Sequence, residues 1–505
     1  MGVVAAVVLF SPSLNLAHAF SRFTRRFAVL GPAAVLAAAA CGCSGPTGSN
    51  AVPPGGSQRL AGHAHRATSP AAGKISHVVI VIQENRTLDN LFNGYCNPGG
   101  HCANTVSSAT IVPTPPPSEP SPLPTPTTVP LVSVGLEAPY DINHGAAQFV
   151  LATDTGKMDE FNWEGGQNTD GSWWGGVGCP SGCAGYTAPQ YPELGYVPPS
   201  EIHPYTAIAD SYVLFDNFFA SNIDASFVAH QFLIAGQAGG TPSGGGSATD
   251  VPNGLWGCGG GPSDLVPTLT LARTYGQRES PCFDYQTLGD ELDGAGLSWA
   301  YYAPAPSAPG YIWSAYQAVN HIVNGPNWSQ HVLSPQSKVI GDVKAGRLAA
   351  VTWVVPTPGN SDHPGLKSKK GPAWVASVVN AIGKSAFWKS TAVFVLWDDW
   401  GGWYDHVNPP TLDYMGLGLR VPLLVVSPYA LAGSITSTCD PSGGAPYEFG
   451  SVLRFTEDLY GLSQLAASDT RAPDPAYDSC VFNFSQQPRK FKSIPASLVP
   501  GNGTN

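Results

Sequence analysis

The twenty residues from Thr391 to Pro410, TAVFVLWDDWGGWYDHVNPP, place the tightest limit on how this chain can fold. Residues 392–396 are apolar without interruption and run into Trp397. A run this short, with no polar alternation, reads as a strand buried on both faces, as inside a parallel sheet. Two carboxylates, Asp398 and Asp399, follow at once, and Gly401 and Gly402 let the backbone turn sharply behind them. In open α/β sheets, ligands bind beyond the carboxyl ends of the strands, so the Asp pair falls on the functional edge. Adjacent carboxylates repel unless a cation or proton lies between them. A hard metal ion with oxygen ligands is the simplest occupant. Taken alone, the pair has a plainer explanation, a solvated turn that caps a helix. Other strand ends decide between the two.

The same signature recurs at residues 77–82 (HVVIVI), 297–302 (LSWAYY), 349–355 (AAVTWVV) and 420–427 (RVPLLVVS). Between these runs, apolar residues fall at helical spacing. Examples are Phe227, Val228, Phe232, Leu233 and Ile234, then Trp374, Val375, Val378, Val379 and Ile382, and residues 451–460. Residues 206–219 read as a helix entering a strand, and residues 312–323 as a further helix. Strands alternating with helices predict an α/β fold with a mostly parallel central sheet covered on both faces. Glu84 and Asn85 follow the first strand, and Thr87 is placed to cap a short helix over residues 88–92. His363 follows the strand at 349–355. Carboxylate, amide and imidazole groups at one sheet edge can hold a divalent cation. Asp405 and His406 read as a structural ion pair.

The flanks are different in kind. Residues 1–43 carry a basic segment, then an alanine-rich apolar run, then small residues, the order of an export signal. Cys41 is a candidate lipid-bearing residue for membrane attachment; plain cleavage nearby without lipid is the alternative. Residues 44–73 read as a flexible tether, 74–490 as the main folded domain with a Pro-rich loop at 111–130, and 491–505 as a tail. Apart from Cys41 and Cys43, eight cysteines fall as close pairs: Cys96/Cys102, Cys179/Cys183, Cys258/Cys282 and Cys439/Cys480. In an exported chain these suggest disulfides. The net charge of −11 argues against nucleic acid as a partner. The predicted location is exported: periplasmic, extracellular or lipid-anchored.

The segment HVVIVIQENRTLDNLFNGY resembles the strand and Glu-Asn-Arg-Ser/Thr motif of the phosphoesterase family of bacterial phospholipases C and related acid phosphatases. WDDWGGWYDHVNPP is similar to that family's Asp-Asp/Glu-x-x-Gly-x-Tyr-Asp-His-Val block. SDHPG resembles a central block, and GLGLRVPLLVVSPYA and SVLRFTEDLYGL resemble C-terminal blocks, all in the family's order. The resemblance implies a three-layer α/β/α sandwich, alkaline-phosphatase-like. It implies a divalent metal ion, calcium or another hard cation, held by Glu84, Asn85, Asp398 and Asp399. It implies Ser226 as nucleophile, with His144 and His363 contacting phosphate or donating protons. The family's Pro, Asn and Arg after the nucleophile are Val228, Ala229 and His230 here, and Phe449 stands where a His often precedes the closing helix. The serine and the Asp-Asp form lean toward an exported acid phosphatase acting on phosphate esters. The alternatives are a phospholipase C releasing diacylglycerol from phospholipids, and an inactive surface-binding protein on the same fold. The last is motivated by the altered segment after Ser226 and the Trp-rich stretch near Trp173.

Overall fold

The computed structural model describes residues 68–113, 125–168, 173–175, 189–239, 257–306, 308–439 and 446–498. The export signal with Cys41, the tether up to residue 67, the middle of the Pro-rich loop, the Cys179/Cys183 pair and most of a Gly-rich stretch at 238–262 lie outside these residues.

Eight strands form the main sheet: β1 (His77–Gln83), β2 (Val213–Phe215), β3 (Trp299–Tyr302), β4 (Val332–Leu333), β5 (Val351–Val354), β6 (Thr391–Trp397), β7 (Leu423–Val426) and β8 (Ser434–Ile435). Their order is β4-β3-β5-β1-β6-β7-β2-β8. Every pairing is parallel except those that β7 makes with β6 and β2. β1 and β6 are buried nearly end to end, which is why both read as unbroken apolar runs.

Six helices matter for the site: α1 (Leu88–Leu91), α2 (Ala146–Thr153), α3 (His203–Ala209), α4 (Ser226–Ala235), α5 (Gly371–Gly383) and α6 (Phe449–Tyr460). Side chains alternate across a strand, so Trp353, Ile80 and Phe394, which are in register, share one face. On that face Trp353 Nε1 donates to Leu233 O of α4 (3.1 Å), and Phe394 meets Phe455 of α6. Trp397 lies on the opposite face and packs edge-on against Tyr205 of α3. Helices therefore cover both faces. One large apolar cluster runs through the sheet and its helices, and a small one gathers Val134, Ala138, Tyr140, Ile142 and Trp403.

Three of the expected cysteine pairs are joined, Cys96–Cys102, Cys258–Cys282 and Cys439–Cys480. Ala71, within the span read as tether, is fully buried in a turn. Phe491, at the start of the span read as tail, packs edge-on against Trp388. The helix expected over 312–323 is instead two 3-10 turns, Tyr311–Trp313 and Ala315–Ala318, and a short helix, Asn320–Val323. Residues 311–319 are all buried, so there is no solvent face for an amphipathic helix to present. The Tyr301 hydroxyl also sits between the turns, donating to Trp313 O and accepting from Ala315 N. Among the described residues, no helix is long and apolar enough to cross a membrane.

Candidate active site

β1 and β6 run in parallel with Gln83 opposite Trp397, so the residues that follow leave the sheet side by side. Asp398 N donates to Gln83 O (3.0 Å), carrying the ladder one step past the strand. Glu84 and Asp398 are neighbours because of that register. Asn85 then adopts a left-handed backbone (φ 59°), which asparagine tolerates better than most residues. Its N–H donates to Asp398 Oδ1 (2.8 Å). Gly401 also has positive φ, and a Cβ there would lie 2.5 Å from Asn85 O. Glycine is what lets the Asp loop close over Asn85.

α4 supplies the third component. Ala225 is its N-cap, and Ser226 is the first helical residue. His230 follows four residues later, on the same helix face as Ser226.

Two contact groups result. In the first, His230 Nε2 lies 3.2 Å from Glu84 Oε1 and 3.6 Å from Asp398 Oδ2, with all three side chains fully buried. Each of the three offers a ligand atom within 4.8 Å of the others. In the second, Ser226 Oγ donates to Asp399 Oδ2 (2.9 Å), with Asn85 Oδ1 at 3.4 Å. Asn85 Nδ2 donates to Asp399 Oδ1 (3.1 Å) and lies 2.9 Å from His144 Nε2. His144 Nδ1 donates to Ile142 O, a group that can only accept, so Nε2 is the acceptor for Asn85. Trp400 Nε1 donates to His144 O (3.0 Å) and fixes that loop.

His363 joins from the segment after β5. Its ring centroid lies 6.4 Å from that of His144, and its Nδ1 donates to Pro364 O (2.6 Å). The preceding residue anchors it. Asp362 Oδ2 accepts from the Tyr205 hydroxyl (2.7 Å) and Trp397 Nε1 (3.0 Å), and Asp362 N donates to Gln83 Oε1 (3.0 Å). Arg86 donates to the Asp362 carbonyl through Nε (2.9 Å) and Nη2 (2.7 Å). Burial raises the Asp362 carboxyl to about 6 against the opposing pull of these donors.

The two adjacent carboxylates are driven in opposite directions. Burial alone raises Asp398, but the attraction of the neighbouring His230 ring outweighs it and holds that carboxyl below the usual range. Burial, and then the Asp398 charge, push Asp399 well above it.

All the residues expected from sequence converge here: Glu84, Asn85, Asp398, Asp399, Ser226 and His144 by direct contact, and His363 through the His144 ring. Within the expected ligand set, Glu84 and Asp398 face His230, while Asn85 and Asp399 face Ser226 and His144. The residue that sequence reasoning missed is His230. Its signal was the four-residue step from Ser226 on a helix. The Glu84–His230–Asp398 group suits a divalent cation: Asp398 Oδ2 is buried and has no hydrogen-bond partner among the described residues, and the donors are two carboxylates and an imidazole. Asp405 and His406 lie in a separate ion network, where Arg420 grips Asp405 through Nε (2.9 Å) and Nη2 (3.0 Å).

Residues 75–463 match the sequence model of the Phosphoesterase family. The chain belongs to the phosphoesterase family. Over 396 residues this phosphoesterase is 25% identical to phospholipase C A of Mycobacterium tuberculosis, covering 70% of this chain and 68% of that one. It is 23% identical over 355 residues to hemolytic phospholipase C of Pseudomonas aeruginosa, covering 61% and 45%. It is 27% identical over 291 residues to non-specific phospholipase C1 of Arabidopsis thaliana, covering 52% and 47%. The phosphoesterase is a hydrolase acting on phosphoric ester bonds.

Proposed function

We propose that this phosphoesterase is an exported, metal-dependent enzyme that cleaves its substrate through Ser226. The observation that carries this reading is the 2.9 Å hydrogen bond from Ser226 Oγ to Asp399 Oδ2, beside the Glu84–His230–Asp398 group. Ser226 Oγ attacks phosphorus in line and its proton passes to Asp399. The bond from phosphorus to the leaving alcohol breaks, and that oxygen takes a proton from His363. Water then attacks the phosphoserine and gives a proton back to that histidine, and Ser226 leaves with the proton held by Asp399. Glu84, His230 and Asp398 would hold a divalent cation, which would supply positive charge opposite the phosphoryl oxygens. Asn85 orients both Asp399 and His144 through its amide. Helices on both faces of a mostly parallel sheet support the alkaline-phosphatase-like sandwich. The leader at 1–43 and the disulfides support export, with or without lipid on Cys41.

For substrate, Ser226 and the Asp398-Asp399 pair favour a phosphomonoester, as in an acid phosphatase. A phospholipid is favoured by the relatives named phospholipase C and by two exposed leucines. Leu271 is 80% exposed and Leu412 is 46% exposed. Leu271 tips a hairpin, Val266–Leu269 paired with Tyr275–Glu279. Arg273 Nη2 of that hairpin donates to Asp413 O (2.8 Å), next to Leu412. Its Tyr275 hydroxyl donates to Asp224 Oδ1 (3.4 Å), two residues before Ser226. Apolar side chains held outward beside a site suit a lipid surface, so we take phospholipid cleavage as the stronger reading.

The test measures diacylglycerol release from phosphatidylcholine vesicles and turnover of p-nitrophenyl phosphate, each with and without chelator. Expected is chelator-sensitive vesicle hydrolysis that drops at least about tenfold in Leu271→Ser/Leu412→Ser, while turnover of the soluble ester is unchanged. Turnover of the monoester alone would select the acid-phosphatase reading. No turnover of either substrate with metal restored would select the binding protein.

A further inference from the structure

Glu164 and Glu193 lie outside the chemistry described so far. Glu164 ends the turn Phe161–Trp163, Glu193 sits within the turn Pro192–Leu194, and the two turns pack together. Both side chains are buried, with 1% and 0% exposure. None of their four carboxylate oxygens has a hydrogen-bond partner among the described residues. Burial, and then the Glu193 charge, push the Glu164 carboxyl well above its usual range, and burial pushes Glu193 up to about 8.

A buried carboxylate without a counter-charge is strongly unfavourable, and two that repel are worse. Protons alone would remove the charge, but the interior would still hold two O–H donors and two carbonyl acceptors without partners. A hard cation answers both problems, because carboxylate oxygens are its preferred ligands and backbone carbonyls of flanking turns belong to the same ligand class. We propose that Glu164 and Glu193 form a second cation site, for one divalent ion of the calcium class, separate from the Glu84–His230–Asp398 group. Its place explains what it does. Tyr404 N donates to Glu193 O (3.0 Å), and Asn143 N donates to Gly165 O (2.8 Å). An ion between the two glutamates braces both the loop that carries His144 and the loop that follows Asp399.

The experiment uses the full chain, stripped with chelator and reloaded with calcium. Bound calcium per chain is measured by elemental analysis, and the thermal midpoint is followed with and without calcium. Glu164→Gln/Glu193→Gln is expected to bind one equivalent fewer than wild type and to lose most of the calcium-dependent rise in midpoint. Asp398→Asn is expected to keep that equivalent. Terbium emission sensitised by Trp163 gives a second readout, expected in Asp398→Asn and lost on adding either glutamate change singly, which covers failure of the double variant to fold. Equal calcium content in wild type and the folded glutamate variants overturns the proposal, as does a wild type that binds none.

Discussion

Among the described residues two groups share one composition, two buried carboxylates and an imidazole: Glu84, Asp398 and the buried His230, and Asp89, Asp405 and the partly exposed His406. They differ in what balances the charge. In the second, the fully buried Arg420 grips Asp405 with both arms and lies 3.8 Å from Asp89. Asp89 Oδ2 also accepts from His406 N (2.8 Å) and Nδ1 (2.7 Å), and Asp89 Oδ1 from Val106 N (3.1 Å). Arg420 Nη1 donates to Asn104 O and Asp216 O. That network is closed, and it ties the loop after β6 to the segment before β7. In the first group the partner of the two carboxylates is His230 rather than an arginine, and Asp398 Oδ2 has no hydrogen-bond partner among the described residues. The lesson is that ligand type does not separate a reactive site from a structural one. Local charge closure does.

Four experiments sharpen or break that contrast. The largest effect is expected from Asp398→Asn. It should lower kcat for a phosphoester by on the order of 10⁴-fold, about 5 kcal/mol, while the urea midpoint moves little; chelation of the wild type should mimic it. Arg420→Met should do the reverse. It leaves Asp405 and Asp89 buried without their cation, so the unfolding free energy should fall by about 3–5 kcal/mol, read by urea denaturation. The third is a pH series around Asp362, an intermediate case whose Arg86 partner binds its carbonyl rather than its carboxylate. Its folded pKa of about 6 exceeds the ordinary 3.8, so between those values the folded state holds more protons than the unfolded one. Stability should therefore fall as pH rises through that window, by about 3 kcal/mol, and Asp362→Asn should flatten the slope. The smallest effect is expected from Thr87→Ala. Thr87 Oγ1 accepts from Asn90 N and donates to Tyr404 O, linking the exit of β1 to the loop that carries Asp405. Its loss should cost about 1 kcal/mol and leave kcat within about threefold.

The same contrast explains what could be read from the sequence. β1, β5 and β6 are buried on both faces, so their apolar runs announced them, and the carboxylates after β1 and β6 marked the edge of the sheet. The Thr87 cap was legible because capping is local. The hairpin ending at Glu279 was not, since its second strand is largely exposed and has no apolar pattern. The turns over 311–318 were misread because a buried aromatic stretch imitates helical spacing. His230 stayed hidden because its partners, Glu84 and Asp398, are 146 and more residues away in the chain. Only register and helix docking bring them together.

The central claim is that the hydroxyl of Ser226, beside an unclosed acidic group, makes and breaks the bond to phosphorus. It is tested most directly by the turnover of p-nitrophenyl phosphate and of its phosphocholine diester, with divalent metal present, by Ser226→Ala against the wild type. The account predicts a loss of at least about a thousandfold in kcat with the unfolding midpoint unchanged. Rates equal to wild type in the folded variant would contradict it.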